Sequence, residues 1–317
     1  MNGVTVAANS DASLEEGDTE HHLSPLPVGI EPLPNQVAGH FYTKSEKSHC
    51  KNYLLKENNT GYVLKAIGDK RGWRELHLYE DIWSPQCAQT HLLQLRSFVP
   101  VFRGLVELDD TKFLAMDDLC AGYQKPSVMD IKVGAITYDP EADKDKIEKE
   151  ISKYPWAKTL GFRILGIRLY KKATDEYIVK DSYFGKTLTP ETVTDGLLFY
   201  LNFDEKDCEQ RSQLLKQLIA RLHSIEEWFL RSNVGHLKFI SSSLLFVYSL
   251  HDNHVKSDVK MIDFAHVFPN HCEPKSNTGD YLSQKSEASE AKAMDTNYLF
   301  GLQKIIEYLL KISEKAI

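Results

Sequence analysis

No apolar run in the sequence approaches the roughly 20 residues that a membrane-spanning helix needs; a stretch such as Leu244–Tyr248 is far too brief. Met1–Ser10 lacks a basic start followed by an apolar core, so no leader peptide is expected. An excess of positive charge is also lacking, with 38 Lys and Arg against 45 Asp and Glu. The formal net charge of -7 argues against a general nucleic-acid binder, although a local lysine cluster can still hold a phosphate. Cys50, Cys87, Cys120, Cys208 and Cys272 are odd in number, widely spaced and free of CxxC pairs. That pattern excludes a disulfide framework or zinc site and points to a reducing compartment, cytoplasmic or nuclear. There is no internal repeat and no dense basic cluster of the nuclear-import type. What is left is a chain of 317 residues with ordinary composition, long enough for one two-lobed catalytic unit or two modest domains.

Residues 1–34 are rich in Asp, Glu, Ser, Pro and Gly, and are read as a mobile tail. Tyr53–Leu55 and Tyr62–Ile67 are expected to pair as strands around the Asn59-Thr60-Gly61 turn. Glu75–Ile82 has the apolar spacing of a helix, and Val101–Leu108 with Lys112–Met116 forms a second strand pair. The order gives a small α+β lobe over 35–119. Residues 120–317 form a larger lobe. Its expected elements are a helix opened by Asp139-Pro140 and closed before Pro155, and a hairpin of Phe162–Tyr170 with Glu176–Asp181. Thr189-Pro190-Glu191 is expected to cap a further helix. A long amphipathic helix through Leu214, Leu218, Leu222, Ile225 and Phe229 follows. Ser243–Tyr248 and Val259–Phe264 read as strands, about 270–292 as a mobile loop, and Tyr298–Ile312 as a closing helix.

Four features carry chemistry. In Pro126–Gly134, Asp130 and Lys132 stand two apart in an extended segment and project to one face, where they can hold a hydroxyl and a phosphate. By itself that pair also fits an exposed strand with an ion pair. In Lys260–His266, an apolar strand ends in Asp263-Phe264, a way to present a magnesium-binding carboxylate. Lys65 ends a strand and Glu75 lies on the next helix, a pairing that can set a lysine against phosphates. Lys146, Lys149 and Lys153 fall within roughly a 60° sector of their helix. Bound phosphates would suit that sector; a solvated face paired through Asp145–Lys149 and Lys146–Glu150 would also explain it.

Together these residues resemble the inositol polyphosphate kinase family. The resemblance rests on PxxxDxKxG at Pro126–Gly134, SSLL at Ser242–Leu245 and IDFAH at Ile262–His266, in that order, and covers about Gln36 to Ile312. Met129–Lys132, Tyr138–Pro140, Ser152–Pro155 and Asp263–Pro269 look most like its multikinase branch. The resemblance implies a two-lobed, kinase-like α+β fold with an antiparallel-sheet N-lobe and an inositol-phosphate-binding helical segment at about 139–155 in the C-lobe. It implies ATP as co-substrate with Mg2+, and transfer of the γ-phosphate to inositol trisphosphate and tetrakisphosphate. Phosphatidylinositol bisphosphate headgroups are a further implied acceptor, and a monomer is expected.

By the same resemblance, Lys65 meets ATP phosphates, Asp117 and Leu119 hold the adenine through their backbone, and Asp130 engages the ribose. Lys132 lies at the transferred phosphoryl, and Asp263 holds the metal. Arg71, Lys146, Lys149, Lys153 and His266 face the inositol. Two departures stand out: Ser127 replaces a usual cysteine, and Lys149-Glu150 replaces glutamines, which bears on phosphate preference. Trisphosphate 3-kinases and hexakisphosphate kinases are alternative readings in the same family. A weakly active phosphoinositide-binding scaffold is the alternative from another class.

Overall fold

The structure, a computed structural model, describes residues 26–39, 41–42, 53–138, 142–251, 254–270 and 294–316. The expected two-lobed α+β architecture is present. The first lobe is one antiparallel sheet of β1 (Ile30–Pro32), β2 (Leu54–Glu57), β3 (Tyr62–Ala66), β4 (Phe102–Leu108) and β5 (Thr111–Asp117), in the order β1-β2-β3-β5-β4. Two helices, α1 (Lys70–Trp83) and α2 (Thr90–Leu95), lie between β3 and β4 in the chain. The turn joining β2 to β3 forms at the expected place, with Gly61 at φ 73° donating its N–H to the Glu57 carbonyl at 2.8 Å.

Two boundaries in this lobe differ from the sequence expectation. The tail read over 1–34 contains a strand at its end, since Ile30–Pro32 pairs with Leu55–Glu57; composition did not show this because the partner supplies the hydrogen bonds. Helix α1 starts at Lys70, not Glu75, because the Asp69 carboxylate accepts the N–H groups of Arg71 and Gly72. Gly68 and Gly72, which flank this cap, disguised it as a turn.

The second lobe is built on a sheet of β6 (Ser127–Val133), β7 (Phe162–Lys171), β8 (Glu176–Lys180), β10 (Ser243–His251) and β11 (His254–Ile262), ordered β11-β10-β6-β7-β8. A small pair, β9 (Leu237–Phe239) with β12 (Val267–Pro269), sits beside it in the chain order. Helices α3 (Lys144–Ser152), α4 (Ala157–Leu160), α5 (Ser182–Thr187), α6 (Val193–Leu201), α7 (Cys208–Arg231) and α8 (Thr296–Ala316) complete the lobe. The expected cap Asp139-Pro140 and the expected loop from residue 271 onward lie outside the described residues. Asp143 caps α3 instead, accepting the Lys146 N–H at 2.8 Å. At α6 the Thr189 side chain accepts the Glu191 N–H in a turn one step upstream, and the helix itself begins at Val193.

Leu214, Leu218, Leu222, Ile225 and Phe229 on α7 are all buried, as their spacing predicts. Phe229 stacks on Tyr298 of α8 at 4.6 Å between ring centroids, which ties the two long helices together. One continuous core joins the lobes: Val63, Leu114 and Met116 of the first sheet pack in the same cluster as Met129 and Ile131 of β6. Gly134 ends β6 at φ 107°, and a Cβ there would lie 2.5 Å from the Asn297 side chain. Only glycine fits that turn.

Candidate active site

A cleft of about 500 Å3 separates the two sheets. Nine of the predicted site residues line it: Lys65, Arg71, Asp117, Leu119, Asp130, Lys132, Lys153, Asp263 and His266. Its inner wall at one end is organised by a lysine held between two carboxylates. Lys65 of β3 places Nζ 2.8 Å from Glu75 of α1 and 2.6 Å from Asp263 Oδ1. Glu75 is 2% exposed and also accepts the Phe264 N–H at 3.0 Å, so it binds α1 to the backbone just after Asp263. Arg74 adds a second tie, donating to the Ala265 carbonyl at 2.9 Å and stacking over Phe268. Burial works to lower the Lys65 pKa, but the charges of Asp263 and Glu75 outweigh it and raise the pKa above the ordinary lysine range.

Asp263 leaves β11 in the left-handed region, at φ 63°, a conformation aspartate tolerates better than most residues. Burial would push its carboxyl up, yet Lys65 holds it below the usual range, so it stays ionised. Its side chain is 46% exposed. Among the described residues no group of three or more His, Cys, Asp or Glu forms a self-contained metal cage. A single hard carboxylate open to a cleft fits magnesium that takes its other ligands from phosphate oxygens and water.

Asp130 and Lys132 lie on β6, the central strand of the second sheet, and share its cleft-facing side. The exposed-strand reading is therefore excluded. Asp130 is 5% exposed, and its Oδ1 is buried without a hydrogen-bond partner among the described residues. Burial first, and the Asp263 charge second, push its carboxyl up to about 7. A bound hydroxyl would satisfy the orphaned oxygen. Ser243, the first residue of β10, pairs with Lys132 in register, which places the serine motif against the DxK motif.

The sequence reading missed Arg163. It stands directly opposite Lys132 across the β6–β7 pair and lines the same cleft. Like charges facing each other across strands are destabilising, and Arg163 Nε is buried without a partner among the described residues. Burial, and for Lys132 the Arg163 charge, lower both cations' pKa values. Two cations set together in this way form a receptor for an anion. The only signal in the sequence was an arginine inside the otherwise apolar Phe162–Leu165 segment.

Of the three lysines expected to face the inositol from this segment, only Lys153 lines the cleft; Lys146 and Lys149 are exposed and do not. The helix has no buried residue and ends at Ser152, so Lys153 stands at its C-cap, in contact with Glu150. Glu150, unassigned from the sequence, also lines the cleft.

Beside Lys65, on the same pair of strands, Val63, Leu114 and Met116 join Leu245 in an apolar slot bordered by Asp117 and Leu119. The Asp117 carboxylate is engaged outward by Arg103, at 2.6 and 2.9 Å, so any ligand contact there falls to the backbone. Arg71 is half exposed and bonded to Asp69.

The Inositol polyphosphate kinase family model matches residues 113–310. The human Inositol polyphosphate multikinase is 34% identical over 224 residues, covering 69% of this chain and 51% of that protein. The mouse Inositol hexakisphosphate kinase 3 is 26% identical over 249 residues, covering 73% of this chain and 57% of that protein. The chain thus spans about half the length of the curated relatives it matches. A crystal structure of Inositol Phosphate Multikinase Ipk2 from S. cerevisiae, in complex with ADP and Mn2+, has the same fold. Its TM-score is 0.61 at 23% identity, covering 79% of this chain and 98% of that one.

Proposed function

The chain belongs to the inositol polyphosphate kinase family, and from that premise we propose that it transfers the γ-phosphate of ATP to a hydroxyl of inositol trisphosphate and tetrakisphosphate, as a multikinase. One observation carries the reading. The charged trio Lys65, Glu75 and Asp263 and the opposed cations Lys132 and Arg163 line one cleft together with the apolar side chains of Val63, Leu114, Met116 and Leu245.

In this reading the adenine occupies the slot against the backbone of Asp117 and Leu119, and Asp130 receives a ribose hydroxyl on its orphaned Oδ1. Lys65 neutralises the ATP phosphates. Asp263 would hold magnesium, which would supply further charge neutralisation on those phosphates. Lys132 and Arg163 draw the acceptor's phosphates and the moving phosphoryl group, while Arg71, Lys153 and His266 border the inositol. The loose transition state of phosphoryl transfer needs alignment and charge neutralisation more than a strong base, and no residue here is assigned as one.

The test is incubation with ATP, magnesium and a panel of inositol phosphates, with phosphatidylinositol bisphosphate vesicles as a separate arm, followed by product separation. New phosphate on inositol trisphosphate or tetrakisphosphate is the expected result. ATP binding with no transfer to any member of the panel would overturn the reading.

A further inference from the structure

Four of the six carboxylates that line the cleft have a counterpart away from the inositol side. Glu75 and Asp263 hold Lys65, Asp117 holds Arg103, and Asp118 holds Lys56; Asp130 sits with the nucleotide in the reading above. Glu150 is different. It lines the cleft among Lys132, Lys153 and Arg163, and it also lines the side cavity of about 70 Å3 that opens between α3 and β7. Its charge acts on both Lys132 and Arg163, and its carboxylate touches Lys153. An acid has been placed inside an anion receptor.

We propose that Glu150 determines which inositol phosphates the site accepts, by taking a free ring hydroxyl at one position and rejecting a phosphate there. This rests on the functional reading above. An ionised carboxylate only accepts hydrogen bonds, so a hydroxyl is a matching donor. A phosphate carries about -1.5 to -2 charges near neutral pH and offers only acceptors of the same sign. Glu150 also removes part of the attraction by tying up Lys153, the one lysine of this segment at the cleft. The competing account is a helix-surface pair between residues three apart, which would affect helix stability slightly and selectivity not at all.

Glutamine has nearly the same shape as glutamate and can donate from its amide, so Glu150→Gln isolates the charge. Inositol hexakisphosphate is a suitable probe because it carries phosphate at every position, whichever one faces residue 150. Its dissociation constant by calorimetry is compared with the KM for inositol trisphosphate in wild type, Glu150→Gln and Glu150→Asp. The ratio of the first to the second is expected to fall about tenfold in Glu150→Gln, equivalent to about 1.4 kcal/mol. It is expected to stay near the wild-type value in Glu150→Asp, which keeps the charge, and KM for ATP is expected to be unchanged in both. An unmoved ratio in Glu150→Gln, with transfer to inositol trisphosphate intact, would overturn this inference alone. Absence of transfer to any inositol phosphate by wild type would overturn the functional reading and this one with it.

Discussion

At one end of the cleft Lys65, Glu75 and Asp263 are locked together by bonds that cross from β3 to α1 to the end of β11, and Glu75 is almost wholly buried. At the other end, Glu150 and Lys153 sit on and at the C-cap of α3, a short helix without a single buried residue. Lys132 and Arg163 stand between, on paired strands of the second sheet. The first end is held by the same packing that holds the protein, so it can change little without loss of stability. The second is held lightly, so its charges can vary with little effect on the fold. In the proposed reading, chemistry common to a kinase family falls at the first end, and choice of acceptor at the second.

The largest effect should come from the rigid end. Asp263→Asn is expected to lower turnover by about 10²–10³-fold or more, the range for removing one charge-stabilising group, with inositol phosphate binding by calorimetry largely kept. Near-normal turnover would remove Asp263 from the metal role. Stability should follow the same divide. Glu75→Ala leaves the Phe264 N–H unpaired and Lys65 short of a partner, and should cost about 2–4 kcal/mol in urea unfolding. Ile147→Ala on α3 should cost less than about 1 kcal/mol. Equal losses would erase the contrast between the two ends.

Within the acceptor end, Lys153→Ala should raise KM for the inositol phosphate about tenfold, the scale of one charge-assisted hydrogen bond, with little change for ATP. Lys146→Ala and Lys149→Ala should leave both constants within about twofold, since neither lysine borders the cleft. A rise as large as that of Lys153→Ala would return them to the acceptor site.

The pH dependence of Asp130 gives a graded effect. Its folded pKa is raised to about 7 from the ordinary aspartate value of 3.8, so the folded state binds more protons than the unfolded state in between. Stability contributed by the protonated form is therefore present at low pH and lost as pH rises from about 4 to about 7, at no more than about 1.4 kcal/mol per pH unit. Comparing urea unfolding of wild type and Asp130→Asn across that window should show the wild type losing stability relative to the variant. Parallel curves would mean that Asp130 is already ionised there.

Much of the second lobe was legible because its elements are long and strongly patterned: the spacing from Leu214 to Phe229 fixes both the helix and its buried face. Ile30–Pro32 was not legible, because three residues of edge strand carry almost no period of their own. The same divide runs through the site. The sequence by itself determined that Asp130 and Lys132 share a strand face, by simple alternation, and that Asp263 ends an apolar strand; their expected roles came from the ordered motifs that carry the resemblance. Local pattern could also place Lys146, Lys149 and Lys153 in one sector of a helix. Only the tertiary structure decided which of them borders the cleft, that Lys65 meets an aspartate 198 positions away, and that Arg163 and Glu150 join Lys132. The reason is physical. Alternation and helical phase are set by neighbouring residues, but how far a helix end stands from a sheet is set by contacts between segments remote in sequence.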